Sequence, residues 1–202
     1  MRARSWLLCF ESGRLTCLLA AAAASPASLV ALCDGEDTLA GVLTLEDMNT
    51  TDEPAAEPVA STDTPQAPPA GMDAIEAILA ECKAQFFAAL RDYESGGSVA
   101  AVEHSALQVF GYFAFLGVAE SARRRGVGAT LVARGVEQLR GDGYAFGVAF
   151  CTSYKSAALF KREGFSRWGG VGYQAFAMPD GRHPFASLPQ DECAVMVRDL
   201  RV

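Results

Sequence analysis

The sequence predicts an α/β fold in which strands and helices share one core, and three observations carry that prediction. Two β-compatible apolar runs flank an Asp-Gly turn between Leu29 and Leu45. A helical apolar period begins at Met72. A continuous apolar run from Ser105 to Val118 passes through a turn of arginines and glycines into a second helical period. Periods of two and of 3.6 in one chain mean strands and helices together. With 202 residues, half of them apolar, the chain can bury one sizeable core, and lengths of ~100 to 200 residues usually form one domain.

The elements follow in order. Leu29 to Leu32 and Leu39 to Leu45 are separated by Asp34-Gly35-Glu36-Asp37. Asp-Gly accepts the left-handed backbone of a tight hairpin, so the two runs are predicted to pair. Segment 49–71 then holds five of the nine prolines, four acids and no Lys or Arg. It carries too little apolar surface to offset its ordering entropy and is expected to be a disordered insertion. In the helix from Met72, the residues Ile75, Ile78, Leu79, Cys82, Phe86 and Leu90 recur at steps of three and four, which predicts one buried face with Phe86-Phe87 in the core. The run Ser105 to Val118 reads as a strand buried on both faces, and Gly111 and Gly117 within it predict a bulge or a close backbone approach. The last helix of this series runs from about Gly128 to Arg140, with Leu131, Val132, Val136 and Leu139 inward and Gly141 as its stop.

Residues 1–27 contain arginines, an apolar stretch from Leu18 to Ala24 and then small residues, the outline of a secretory signal, but Glu11 and Arg14 interrupt it. An organellar transit peptide and the end of an amphipathic helix are the other readings. A net charge of −7 and a pI near 4.9 argue against nucleic-acid or anionic-membrane partners, which need a basic field. The six cysteines lie far apart without a C-x-x-C pair, and the only histidines are His104 and His183. This spacing predicts reduced thiols, no metal site and cytoplasmic residence, or an organelle if residues 1–27 are a targeting peptide. No apolar run reaches the ~18 to 20 residues of a membrane span.

Against the acidic background, Arg123-Arg124-Arg125-Gly126-Val127-Gly128 stands between a buried strand and a helix start. The unpaired amides of a helix N-terminus and its dipole favour an anion, and glycines let phosphate oxygens approach the chain. The spacing fits neither G-x-x-x-x-G-K-[ST] nor G-x-G-x-x-G, so nucleotide P-loop and dinucleotide readings fail.

The segment LGVAESARRRGVGATL resembles motif A of the GNAT superfamily of N-acetyltransferases, where a strand ending in Val precedes R/Q-x-x-G-x-G/A, here Arg123, Gly126 and Gly128. Some 25 residues on, SYKSAALFKREGF resembles motif B of the same superfamily, with Ser156, Leu159, Phe160 and Gly164-Phe165 at its marker positions. The arylalkylamine N-acetyltransferase-like group is the most similar: it too has a helix where the Met72 helix falls. It also ends in a hairpin whose loop holds Asp-Gly and a Pro-Phe or Val-Phe pair, as Tyr173 to Leu200 does. The resemblance implies a GNAT fold over 28–202, a mixed central sheet with strands splayed at the acetyl-CoA site. It also implies that the first strand and most of the first two helices of such enzymes are missing before Ser28.

It further implies acetyl-CoA as co-substrate, with no metal. The pyrophosphate would lie on the amides of Arg124, Arg125, Gly126, Val127, Gly128, Ala129 and Thr130, with Arg123 assisting. The pantetheine arm would bond the strand edge at Leu116 to Val118, where a Val118 amide would serve the developing oxyanion. Many relatives use a motif B tyrosine to protonate the thiolate; Phe160 occupies that position, leaving Ser156, Tyr154 and Cys151 as candidates. Ser156 is the catalytic choice, with a helix cap as its competing role. Glu120 and His104 are candidate bases, and neither is assigned. Phe110, Tyr112, Phe113 and Phe115 are a candidate amine pocket as well as core. The expected substrate is a small primary amine of arylalkylamine or polyamine type. A protein lysine or N-terminus, or a catalytically weak CoA-binding protein, is the alternative.

Overall fold

The computed structural model describes residues 28–32, 39–48, 71–95 and 110–201. The leader 1–27, the turn Asp34 to Asp37, the insertion at 49–70, His104, Ser105 to Val109, and Cys9, Cys17 and Cys33 lie outside the described residues. Among the described residues, six strands form one mixed sheet: β1 (Leu29–Leu32), β2 (Leu39–Asp47), β3 (Phe110–Val118), β4 (Phe146–Cys151), β5 (Ser166–Gly172) and β6 (Glu192–Asp199), in the spatial order β1-β2-β3-β4-β6-β5. All neighbours are antiparallel except β3 and β4, which run parallel. A parallel neighbour requires a crossover, and helix α2 (Val127–Gly141) supplies it. The other α-helices of the described residues are α1 (Met72–Ser95), between β2 and β3, and α3 (Tyr154–Arg162), between β4 and β5.

Each face of the sheet has its own core. Leu43 and Leu45 of β2, Phe113 of β3, and Leu131, Val132, Val136 and Leu139 of α2 pack together on one face with Phe160 and Phe165. On the opposite face α1 lays Ile78, Cys82, Phe86 and Leu90 over Val148, Val171, Cys193, Val195 and Val197. The apolar period of α1 thus reads as expected, with one correction. Ile75 is 43% exposed and Ala74, at 1%, holds the first buried position. The buried row descends in steps of four (74, 78, 82, 86, 90), and Ile75 falls just outside it.

Small residues set the seat of α2. A Cβ on Gly135 would lie 2.7 Å from Leu43 Cδ2 and 2.8 Å from Phe113 Cε1, and one on Gly111 would run into Leu139. The expected close approach at Gly111 is therefore that of α2 on β3. The helix stop is corrected: Gly141 is the last helical residue, while Gly143, at φ 85°, takes the left-handed turn after the Asp142 cap. At the C-terminus β5 and β6 pair as the expected hairpin. Its loop holds Asp180-Gly181, with Gly181 at φ 84°, and Pro184-Phe185. Arg182 in that loop bonds Asp180 and reaches Asp73 of α1 at 2.9 Å. Those two carboxyls are held below the usual range by the Arg182 side chain at Asp73 and by the Arg182 amide at Asp180.

Candidate active site

The main chain builds the site. Among the described residues, β3 and β4 pair only at Phe110/Phe146, Gly111/Gly147 and Tyr112/Val148, whereas β3 continues to Val118 and β4 to Cys151. Past Tyr112 and Val148 the two strands part, leaving a gap inside the sheet. Ala119 donates to Ala40 O at 2.8 Å, which makes that a hydrogen-bonded pair of the β2/β3 ladder. By alternation the pairs Gly41/Val118 and Leu43/Leu116 are the non-hydrogen-bonded ones. The N–H and C=O groups of Leu116 and Val118 therefore point away from β2 and into the gap. Arg123 Nε, donating to Val118 O at 3.4 Å, meets that carbonyl from the same side.

The turn after β3 closes the gap's end. A short 3₁₀ turn, Glu120–Ala122, leads into Arg124 at φ 61° and Gly126 at φ 84°, with Arg125 between them at negative φ. Backbone of alternating hand gathers successive N–H groups into an anion-binding concavity. Gly126 is then the N-cap of α2, without a side-chain cap. Among the described residues the amides of Arg124 to Ala129 find no acceptor. Thr130 differs from the expectation. Its amide donates to Gly126 O at 3.0 Å as the first bond of the helix, so its hydroxyl is the group left for a ligand.

The two glycines act for different reasons. Gly126 is required by its left-handed backbone, and a Cβ there would meet nothing within 4 Å; one on Gly128 would lie 3.2 Å from Leu159 Cδ2 of α3 and 3.5 Å from Val118 Cγ2. Helix α3 thus sits beside the cradle, where the second motif was expected. Arg124 and Arg125 are exposed and bonded to no described residue. The outer face of α3 adds Lys155, Lys161 and Arg162 around a hollow with Tyr154 and Ala158.

Ser153 is the N-cap of α3 and Ser156 its reciprocal partner. Ser153 Oγ accepts from the Ser156 amide at 3.2 Å, while Ser156 Oγ accepts from the Ser153 amide at 3.3 Å and donates to Ser153 O at 2.8 Å. The same hydroxyl faces the Cys151 thiol, which burial pushes up to about 12, so Cys151 stays a protonated, inert thiol. Tyr154 is 69% exposed. Phe160 packs edge-on against Phe113 and Phe165, with centroids 5.4 and 4.9 Å away. Its helix closes at Gly164, φ 82°. Phe113 belongs to this core and not to an amine pocket, whereas Tyr112 lies on the α1 face with its ring 5.1 Å from Phe150. Glu120 is exposed on the turn. Among the described residues, no cluster of three or more His, Cys, Asp or Glu can hold a metal ion.

Sequence reasoning missed three features here. Arg124 carries a left-handed backbone that an arginine does not announce. Tyr173, whose hydroxyl donates to Thr152 O at 2.8 Å, ties the last loop to the end of β4 beside the gap. Thr44 and Glu46 place polar groups on the α1 face of β2, and the alternation Leu43-Thr44-Leu45-Glu46 was the available signal.

The comparisons agree with this geometry. The model of the acetyltransferase (GNAT) family matches residues 48–165, more than half of the chain, and the chain belongs to that family. It is an acetyl-CoA-dependent acyltransferase. The fold is similar to arylalkylamine N-acetyltransferase 2 from Aedes aegypti, with 15% identity over 94% of this chain and 81% of that one and a TM-score of 0.58. It is also similar to the Drosophila melanogaster polyamine N-acetyltransferase that forms N-acetylagmatine, with 17% identity, 98% and 85% coverage and a TM-score of 0.56. A third likeness is the C-terminal condensation domain of Ebony in complex with β-alanyl-dopamine, with 14% identity, 92% and 78% coverage and a TM-score of 0.64. No curated protein matches by sequence.

Replacing Arg123, Arg124 and Arg125 together by Gln is expected to weaken coenzyme A binding by about tenfold at low salt. The difference from wild type should shrink as salt rises, because exposed charges are screened beyond ~10 Å at 0.1 M. Titration at two ionic strengths checks this.

Proposed function

We propose that this acyltransferase moves the acetyl group of acetyl-CoA onto the primary amine of a small molecule of arylalkylamine or polyamine type, by direct attack. The observation that carries the proposal is the gap between β3 and β4, opening at one end onto the unpaired amides of Arg124 to Ala129. A linear thioester fits such a track. The diphosphate would take the amides of Gly126 to Ala129 and the hydroxyl of Thr130, with Arg123 to Arg125 adding charge. The amide arm would bond Leu116 and Val118, and the acetyl carbonyl would lie against the Val118 end of the strand. Support for an amine comes from the net charge of −7, which attracts cations, and from fold relatives named for amine substrates.

In this reading the thiolate leaving the acetyl carbon takes its proton from Ser156, whose hydroxyl faces the end of β4. Ser156→Ala is expected to lower kcat by at least ~100-fold with coenzyme A affinity kept, the range for loss of a proton donor. Loss of about 1 kcal/mol of stability alone would mark it as a helix cap. One observation favours a second reading, a catalytically weak CoA-binding protein: Phe160, where relatives carry a tyrosine, is a buried ring with no proton to give. Incubation with acetyl-CoA and separate arylalkylamines, polyamines and lysine peptides, followed by free-thiol release, decides between them. Release with one class of small amine supports the proposal; coenzyme A binding without release above background supports the second reading.

A further inference from the structure

An amine must reach the thioester carbonyl from one face of the sheet. Helices α2 and α3 occupy one face; on the other, α1 lies chiefly over β5 and β6. The β2–β4 portion of that second face carries polar groups that the core does not use. Glu46 is the cross-strand partner of Tyr112, and Thr44 that of Phe115. Thr44 and Glu46 alternate with Leu43 and Leu45, which point to α2, so both project to the α1 face. Tyr112 shares it, packed on Phe150 at the point where β3 and β4 separate.

Three polar groups there make no hydrogen bond among the described residues: the Thr44 hydroxyl, the Glu46 carboxylate and the Tyr112 hydroxyl. Thr44 is only 6% exposed. A buried hydroxyl without a partner is destabilising unless a ligand or water supplies one. Glu46 is exposed at the border of this patch, so its carboxylate is open to a ligand; partial desolvation raises it above its ordinary range, and desolvation is the largest cause raising the Tyr112 hydroxyl. A carboxylate whose pKa is raised is a better proton acceptor than one at its ordinary value.

Resting on the acetyltransferase reading, we propose that Thr44, Glu46 and Tyr112 form the receptor for a protonated primary amine, with Phe115 and Phe150 taking its apolar part, and that Glu46 removes its first proton. The ammonium gives one proton to the Glu46 carboxylate. The freed lone pair forms the C–N bond and the C–S bond breaks. The second nitrogen proton is balanced by protonation of the departing thiolate, and Glu46 returns its proton to water. Two aromatic rings beside one carboxylate select a cation carried on a hydrophobic group over a polycation, which needs several carboxylates.

The test uses the full chain and two readouts. Calorimetric titration with phenethylamine, with putrescine and with the uncharged phenethyl alcohol reads the receptor without any catalysis. Wild type is expected to prefer phenethylamine, Glu46→Gln to lose at least tenfold in amine affinity, and Thr44→Val and Tyr112→Phe to lose about two- to fivefold, with melting temperatures and coenzyme A affinity held. Free-thiol release should show kcat/KM for phenethylamine reduced at least 100-fold in Glu46→Gln. Amine affinity and kcat/KM within twofold of wild type in Glu46→Gln, or no amine binding by wild type at millimolar concentrations, overturns the proposal. If wild type fails to bind coenzyme A, the acetyltransferase reading falls, while the amine titration still judges the receptor by itself.

Discussion

Gly128→Phe abolishes coenzyme A binding. The Cβ direction at this position runs between Leu159 of α3 and Val118 at the end of β3, at 3.2 and 3.5 Å, so a ring placed there enters the mouth of the gap or pushes α3 away from it. Either outcome removes at least two hydrogen bonds to a charged ligand, each worth about 1.5–3 kcal/mol, and lowers affinity by more than ~100-fold. Gly128→Ala separates binding from folding. Alanine is the better helix former by up to ~1 kcal/mol, yet its methyl must displace Leu159 by a few tenths of an ångström. The expected result is unchanged or raised thermal stability with affinity reduced about three- to tenfold. Parallel melting and calorimetry check it; a Gly128→Phe variant that binds coenzyme A like wild type refutes the placement of the ligand.

Gly135→Val destabilises the fold by about 3 kcal/mol, the upper range for overpacking, which lowers the melting temperature by roughly 6–12 °C in a chain of this size. Helix α2 rests on the sheet because position 135 has no side chain: the added Cβ would lie under 3 Å from both Leu43 and Phe113. Both contacts are side-chain ends, but Leu43 and Phe113 are themselves buried in the core, so neither can turn aside without displacing its own neighbours. Gly141→Ala is the control, since nothing lies within 4 Å of a Cβ there, and it should be neutral or stabilising. Because α2 also presents the anion site, Gly135→Val should weaken coenzyme A binding along with stability. Equal melting of Gly135→Val and Gly141→Ala would contradict the seat described for α2.

How much of this was readable before the structure follows from the range of the forces involved. The faces of α1 and α2 were legible because burial repeats with the helical period, so Ile78, Cys82, Phe86 and Leu131 declare themselves locally. The cradle was legible because Gly126 and Gly128 stand where backbone freedom and close approach are needed. Ile75 was misjudged because the first turn of α1 lies at the edge of its buried row, and Gly141 because two glycines two residues apart leave the stop undecided until φ is known. The role of Ser156 turned on which serine caps α3. Ser153 does so, and both SYKS serines satisfy the capping pattern from opposite ends. The gap between β3 and β4, by contrast, is a matter of pairing over more than thirty residues of sequence, and no local pattern encodes it. Nor could the sequence show that Glu46 sits opposite Tyr112 and Thr44 opposite Phe115, because the bulge between β2 and β3 resets the register between them.

Residue-resolved amide shifts during titration with coenzyme A test the central claim most directly, that main-chain N–H groups at the start of α2 hold the diphosphate. The largest shifts should fall on Gly126, Val127, Gly128 and Ala129, with Leu116 and Val118 following and the β5–β6 hairpin still. Saturation with coenzyme A that leaves those four amides unmoved would contradict the account.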